Sequence, residues 1–209
     1  MKFVSLISSG IDSPVATYIL SKRADELIFV HSDNRPFTDD REIDNFINLV
    51  KHLKTQIKIP IQIYIVPHGE ALSLYKINSV GRFTCVFCKR MFLRYAEKIA
   101  QKNRADAIIM GDSLGQVASQ TLQNINIIEQ AVKIPVLRPL IGFDKNDIIK
   151  IAKKIGSYDY SIMKSGGCTA VPDKPATHTK LSQILFEENK INIEDLVNNA
   201  INKAKIINL

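Results

Sequence analysis

Apolar residues fall into two alternating patterns along the chain. Short runs at residues 2–8, 26–31, 61–67 and 107–111 have the length and the bounding turn residues of buried strands. Between them, residues 13–23, 38–53, 87–103, 113–124 and 144–155 carry helical spacing; in the second of these Ile43, Phe46, Ile47, Leu49 and Val50 share one side. Asp144 and Gly156 bracket the last helix as N-cap and C-cap candidates. Residues 134–140 form a fifth strand segment, and Pro135 and Pro139 place it at a sheet edge or strand end. Strands alternating with helices predict an α/β fold: a doubly wound, mainly parallel sheet with helices on both faces. Residues 162–179, rich in Gly and Pro, read as a long loop, and such loops in compact domains are usually functional. Two polar helices at 180–188 and 193–206 complete the chain, so a domain over 1–178 with a helical extension over 179–209 is expected.

Composition narrows the class. Of 209 residues 45% are hydrophobic, enough for a core, and no apolar run approaches the roughly 20 residues of a membrane span. The first residues read as a strand and not as a signal peptide, so a cytoplasmic protein without membrane attachment is expected. The formal charge is +7, and residues 82–104 hold seven basic groups against the single acid Glu97. Clustered positive charge is the footprint of a polyanion site, though a solvated Lys/Arg face would carry the same charge. Within this stretch Arg90, Arg94, Lys98 and Lys102 repeat every four residues, predicting a continuous basic stripe opposite Phe92, Ala96 and Ile99. Three cysteines, Cys85, Cys88 and Cys168, argue against a disulfide framework.

The first strand runs into Ser8-Ser9-Gly10-Ile11-Asp12-Ser13, which opens a helix. Ligands of parallel sheets bind at the carboxyl ends of strands, and a small-residue turn there brings backbone N–H groups and a helix N-terminus to an anion. Ser8, Ser9 and Ser13 supply hydroxyls, and Asp12 suits either a helix cap or a Mg2+ ion among phosphates. A plain N-cap made of Ser and Asp would use the same residues. Neither a Walker Gly-Lys-Ser/Thr nor a Gly-x-Gly-x-x-Gly is present.

With Pro14 and Val15, this segment resembles the Ser-Gly-Gly-x-Asp-Ser-x-Val signature of PP-loop ATP pyrophosphatases, of the adenine nucleotide alpha-hydrolase type. Ser9 stands where the signature has Gly, and would be strained if the position requires a positive φ. Ser13-Pro14-Val15-Ala16, Cys85-Val86-Phe87-Cys88-Lys89-Arg90, the run Gly111-Asp112-Ser113-Leu114-Gly115-Gln116-Val117-Ala118-Ser119-Gln120-Thr121, and Arg138-Pro139-Leu140-Ile141-Gly142-Phe143-Asp144-Lys145 resemble one branch, the tRNA 4-thiouridine sulfurtransferases. The likeness extends over about residues 2–178.

This resemblance implies an ATP-dependent enzyme that adenylates a tRNA uridine, releases pyrophosphate and transfers sulfur to give 4-thiouridine. The alternative is an adenylating or sulfur-mobilising enzyme acting on a small molecule or another RNA. The implied ATP site comprises Ser8, Ser9, Gly10, Ile11, Asp12, Ser13, His31, Gly111 and Gln120, with Mg2+. Gln116, Ser119 and Gln120 are expected on one helix face. Asp12, Lys145 and Cys168 are the implied catalytic residues; Lys145, a cation at a helix start, would neutralise phosphate charge developing in the transition state. Arg82, Arg90, Arg94, Lys98 and Gln116 are the expected tRNA contacts. Three thiolates with an open position suit a [4Fe-4S] or [3Fe-4S] cluster on Cys85, Cys88 and Cys168; persulfide chemistry at Cys168, or unreactive thiols, are the other readings. Family members carry an N-terminal RNA-binding region with a THUMP domain, so this chain is expected to dock RNA through its basic helix, a second subunit or a separate THUMP-type protein. A homodimer and a sulfur donor, either a protein persulfide or sulfide, are likewise implied.

Overall fold

A computed structural model of the protein describes residues 1–207. The chain runs β1 (Lys2–Leu6), α1 (Asp12–Ser21), β2 (Glu26–Asp33), α2 (Asp40–Gln56), β3 (Ile61–Pro67), α3 (Gly69–Asn78), α4 (Thr84–Asn103), β4 (Ala107–Ile109), α5 (Leu122–Glu129), β5 (Val136–Leu137), α6 (Lys145–Lys154), α7 (Tyr158–Ser161), α8 (Leu181–Glu188), α9 (Ile193–Asn202) and β6 (Lys205–Ile207). The strands form one sheet in the order β5-β4-β1-β2-β3-β6, parallel except for β6, which pairs antiparallel with β3. This is the expected doubly wound fold. The two prolines flanking β5 do place it at an edge.

Each face of the sheet is buried under its own layer. On one side Phe3, Leu27, Phe29 and Ile63 pack against Val15, Ala16, Phe46, Leu49, Val50 and Ile148 of α1, α2 and α6. On the other, Val4, Ile28, Val30 and Ile108 pack against Ala71, Tyr75, Val86, Phe87, Met91 and Ile128 of α3, α4 and α5. Successive strand residues point to opposite faces, so strands buried on both sides read as unbroken apolar runs. The C-terminal extension belongs to this second core, through Ile184 of α8 and Leu196, Val197 and Ala200 of α9.

Three parts differ from the sequence reading. Helix α3 was not anticipated. Its first residue, Gly69, has no room for a side chain, since a Cβ there would lie 1.8 Å from the Arg35 carbonyl oxygen. Residues 113–124 are not one helix. Gly115 takes φ +75°, the segment closes in a single 3-10 turn at Ala118–Gln120, and α5 starts only at Leu122, capped by the Thr121 hydroxyl. Gln116, Ser119 and Gln120 therefore do not share a helix face. The tail, expected to be helical to residue 206, ends instead in β6.

The basic stripe on α4 is also corrected. Arg90 is 1% exposed and Arg94 is largely covered; both grip Glu188 at the end of α8, with N···O distances of 2.8 Å and 2.7 Å. Arg90 additionally donates to the Ile127 carbonyl at 2.5 Å. These two guanidiniums pin the C-terminal extension to the core and are not presented to RNA, whereas Lys98 and Lys102 remain exposed. Burial works to raise the Glu188 carboxyl, but Arg94 and Arg90 outweigh it and hold it below its ordinary value. A carboxyl lowered on folding contributes stability above the ordinary carboxylate range, and loses it as pH falls through the lowered value. Glu188→Ala leaves Arg90 buried without its counter-charge and should cost about 3 kcal/mol in urea unfolding at pH 7. The deficit relative to wild type should shrink as the pH is lowered through that carboxyl's titration.

Candidate active site

The turn after β1 is held by its own hydroxyls. Ser8 N–H donates to Ser13 Oγ at 2.9 Å, Gly10 N–H donates to Ser8 Oγ at 3.2 Å, and the Ser8 and Ser13 hydroxyls lie 3.2 Å apart. Thr17 anchors the next turn of α1, donating to the Ser13 carbonyl at 2.7 Å and lying 2.6 Å from the Ser5 hydroxyl of β1. No side chain caps the start of α1 at Ile11. The plain N-cap reading of these serines is thereby removed, and the helix N-terminus keeps its partial positive charge for an anion.

Gly111, just beyond β4, meets this turn directly: a Cβ there would lie 2.7 Å from the Ser13 backbone nitrogen. His31 braces the turn from β2, with Nδ1 3.0 Å from the Ile7 carbonyl and its ring stacked on Phe46 at 4.0 Å between centroids. A carbonyl only accepts, so Nδ1 carries the proton, and Nε2 is left as a buried acceptor without a partner. Burial lowers the His31 pKa, more than the Ile7 carbonyl and the Glu42 charge raise it, so the ring is neutral at pH 7.

Ser9 does not have positive φ; Arg104 is the one non-glycine in that region among the described residues. Its hydroxyl instead donates to Glu42 Oε1 of α2 at 2.7 Å. The replacement of glycine is thus accommodated without backbone strain, and it ties the turn to α2.

Opposite, Lys145 at the first position of α6 reaches Asp12 Oδ1 at 2.5 Å, which offsets an unfavourable position on the helix dipole. A cavity of about 270 Å³ opens between these walls, lined among others by Ser8, Gly10, Asp12, Ser13, His31, Gly111 and Gln120. Lys145 meets it through Asp12. Lys89 and Phe92, which the sequence reading did not assign to the site, line the same cavity together with Asp112. Asp112 is 3% exposed and receives Lys89 Nζ at 2.6 Å, Arg138 Nε at 3.2 Å and Gln120 Nε2 at 3.4 Å. Burial would raise the Asp112 carboxyl, but Lys89 and Arg138 overcome it and keep it ionised. The Gly-Asp pair ending β4 was visible in sequence; its two cations, 23 and 26 residues away, carried no local signal.

Cys85 and Cys88 lie in the first two turns of α4, and Cys168 lies on the Gly-rich loop that Thr169 ties to Phe37 by its N–H at 2.8 Å. All three are free and partly exposed. Burial pushes the Cys85 thiol up, with Cys168 adding to the rise, and raises Cys88 further, with Cys85 and Cys168 both contributing; the three thiols thus share one electrostatic neighbourhood. No group of three or more His, Cys, Asp or Glu is gathered as a metal site among the described residues. The donors suit a cluster in kind, three thiols with no carboxylate among them, but are not drawn together as ligands in this conformation. Arg82, next to Phe83 and bonded through its carbonyl to Ala176 N–H, stays exposed near this loop, and Gln116 is half-buried in the segment after Gly111.

A mainly parallel α/β domain presents here a Ser/Gly turn, an uncapped helix start and an acid–lysine pair at its strand ends, an arrangement suited to an anion. The family described as Thiamine biosynthesis protein (ThiI) matches residues 1–193. The chain is 45% identical to a probable tRNA sulfurtransferase of Methanobrevibacter smithii over 184 residues, 88% of this chain and 48% of that protein. It is 38% identical to a probable tRNA sulfurtransferase of Acetivibrio thermocellus, covering 100% of this chain and 53% of that one. A 4-thiouridine synthetase solved as an RNA complex with bound ATP superposes with a TM-score of 0.93 at 33% identity, over 99% of this chain and 54% of that one. NMN synthetase from Francisella tularensis, at 15% identity and a TM-score of 0.56 over 96% of this chain and 84% of its own, shares the fold alone. The chain belongs to the ThiI family, and spans about half the length of the curated relatives it matches.

Because Ser9 is unstrained, Ser9→Gly should not stabilise the protein. Loss of the Glu42 hydrogen bond and added chain entropy should together lower unfolding stability by about 1 kcal/mol in urea titration.

Proposed function

We propose that this chain is the catalytic portion of an ATP-dependent tRNA sulfurtransferase that converts a uridine to 4-thiouridine. The observation that carries this is the cavity at the ends of β1, β2 and β4, which meets the Asp12–Lys145 pair at one end and Lys89, next to Cys88, on its wall. Residues suited to phosphate charge line this opening, and Cys88 precedes its wall residue Lys89 in the chain without itself being among the lining residues. Relatives named tRNA sulfurtransferases, and a neighbour bound to RNA and ATP, support the same reading.

The triphosphate would lie on the turn at residues 8–13, with the Ser8 and Ser13 hydroxyls and the α1 N-terminus toward its oxygens, while Ser9 holds the turn to Glu42. A Mg2+ ion, when bound, would be held by Asp12 among the phosphates and would neutralise part of their charge. The uridine O4 attacks the α-phosphorus; the new O–P bond forms as the bond to pyrophosphate breaks, and Lys145 compensates the growing charge. Adenylation turns a poor leaving oxygen into a good one. Sulfur then bonds to C4 of the base and AMP departs. Cys85, Cys88 and Cys168 are the residues that would hold an iron–sulfur cluster, which when bound supplies nucleophilic sulfide. Gly167, at φ +66°, gives the Cys168 loop a conformational freedom that closing onto Cys85 and Cys88 would use. Arg82, Gln116 and the exposed Lys98 of α4 are the proposed tRNA contacts. A separate THUMP-type protein or a second copy of the chain would complete the RNA footprint, and the setting is the cytoplasm. No helix among the described residues is long and apolar enough to cross a membrane.

Incubation with ATP, a sulfur source and unmodified tRNA should yield 4-thiouridine on nucleoside analysis. Lys145→Ala should lower pyrophosphate release by about a hundredfold, the effect of removing one aligned charge stabiliser. Wild-type protein that consumes ATP with tRNA and sulfide but leaves the uridines unchanged would refute the assignment. Anaerobic purification should give protein containing iron and sulfide, both lost when any of the three cysteines becomes serine. Iron-free protein that still transfers sulfur would remove the cluster.

A further inference from the structure

His68 has no part in the nucleotide chemistry, yet it is completely buried just behind the cavity wall. It follows β3 and precedes Gly69, the residue with no room for a side chain, so its backbone is fixed where the strand ends. Its ring makes two polar contacts: Nδ1 lies 3.0 Å from the Tyr95 hydroxyl and Nε2 lies 3.3 Å from the Cys88 sulfur. Phe92, which lines the cavity, packs edge-on against the same ring at 4.8 Å, and Tyr95 at 5.8 Å. Cys88 and Tyr95 both project from α4, and His68 bridges them from another element.

The ring chemistry restricts how this chain of contacts can run. A neutral imidazole has one N–H and one lone pair. A Cys88 sulfur that carries charge, as thiolate, persulfide or metal ligand, accepts and does not donate. Nε2 must then hold the proton, and Nδ1 must accept from its other neighbour. The Tyr95 hydroxyl is such a donor, and it rotates to serve. A partner on one ring nitrogen that fixes the tautomer of the other is how proteins orient imidazoles toward metals and thiolates.

We propose that His68, with its tautomer set by Tyr95, is a positioning residue for sulfur transfer: it delivers Nε2–H to the Cys88 sulfur and fixes that sulfur's position. The proposal rests on the reading of Cys88 as part of the sulfur-handling group. It separates Cys88 from Cys85, which lies one helical turn earlier and has no such partner among the described residues. The hydrogen bond would hold the sulfur in one rotamer and spread its charge, while Phe92 separates the imidazole from the nucleotide.

Nitrogen-15 NMR of the side-chain nitrogens in the full chain reads the tautomer directly. With the Cys88 sulfur charged, as persulfide or metal ligand, the expected result is protonated Nε2 with a lone pair at Nδ1, and loss of that single tautomer in Tyr95→Phe. In parallel, 4-thiouridine formed per pyrophosphate released should fall about tenfold in Tyr95→Phe and His68→Leu, the effect of one hydrogen bond to a charged group. His68→Gln, which keeps an N–H donor, should restore most of the ratio. A purely structural role would lower both products together and leave the ratio unmoved. Should His68→Leu fail to fold, Tyr95→Phe removes a single oxygen and still decides the matter. A tautomer protonated at Nδ1 while that sulfur is charged, or a ratio unchanged in the folded variants, overturns the proposal. If the wild type makes no 4-thiouridine, the function proposed above fails, while the tautomer still tests the hydrogen bond by itself.

Discussion

At β1 the strand order reverses. The chain lays β2 and β3 on one side of it, then crosses to place β4 and β5 on the other. Right-handed crossovers in opposite directions must put their helices on opposite faces, so α1 and α2 leave the strand ends one way and α4 and α5 the other. An opening forms at the carboxyl ends of these strands, lined by residues of the strand ends and of α1, α2 and α4. The turn at residues 8–13, the close approach of Gly111 and the cavity between them all follow from that reversal. Any residue larger than glycine at 111 would push β4 off the turn, because the obstacle is backbone and not a movable side chain.

Charge is organised around the same gap. Asp12 faces Lys145, and Asp112 gathers Lys89 and Arg138, so these three cations are each held by a carboxylate. Groups fixed this way need little rearrangement to meet phosphate, which is the source of electrostatic preorganisation. The Glu188 cluster uses the same chemistry for another end. It is dry, lies in the middle of α4, and fastens the tail that packs on the second core. Arginine suits this position because its planar fork serves two acceptors at once, as Arg90 does with Glu188 and Ile127.

The residues legible in the sequence are those whose partners are near in the chain or fixed by the strand ends. The Ser/Gly turn, the Gly111-Asp112 pair and Lys145 carry local signals: small residues after an apolar run, and a cation where a helix begins. The stripe on α4 misled for the opposite reason. Four-residue spacing finds a helix face but not what covers it, and the acid that claims Arg90 and Arg94 lies 98 and 94 residues away. Helix α3 was missed because Leu74 and Ile77 are exposed while Leu72 and Tyr75 are buried, which blurs its apolar face. His68 had no motif around it; its placement directly after a strand, before a glycine, was the one available sign. The short β6 run, Lys205-Ile206-Ile207, cannot be told from a helix end by periodicity.

The central claim is that the cavity positions the α-phosphate, and not the γ-phosphate, of ATP for attack. Products of radiolabelled ATP decide it directly. With labels at the α- and γ-positions and tRNA present, the account predicts AMP and pyrophosphate in equal amounts. Accumulation of ADP and inorganic phosphate would contradict it.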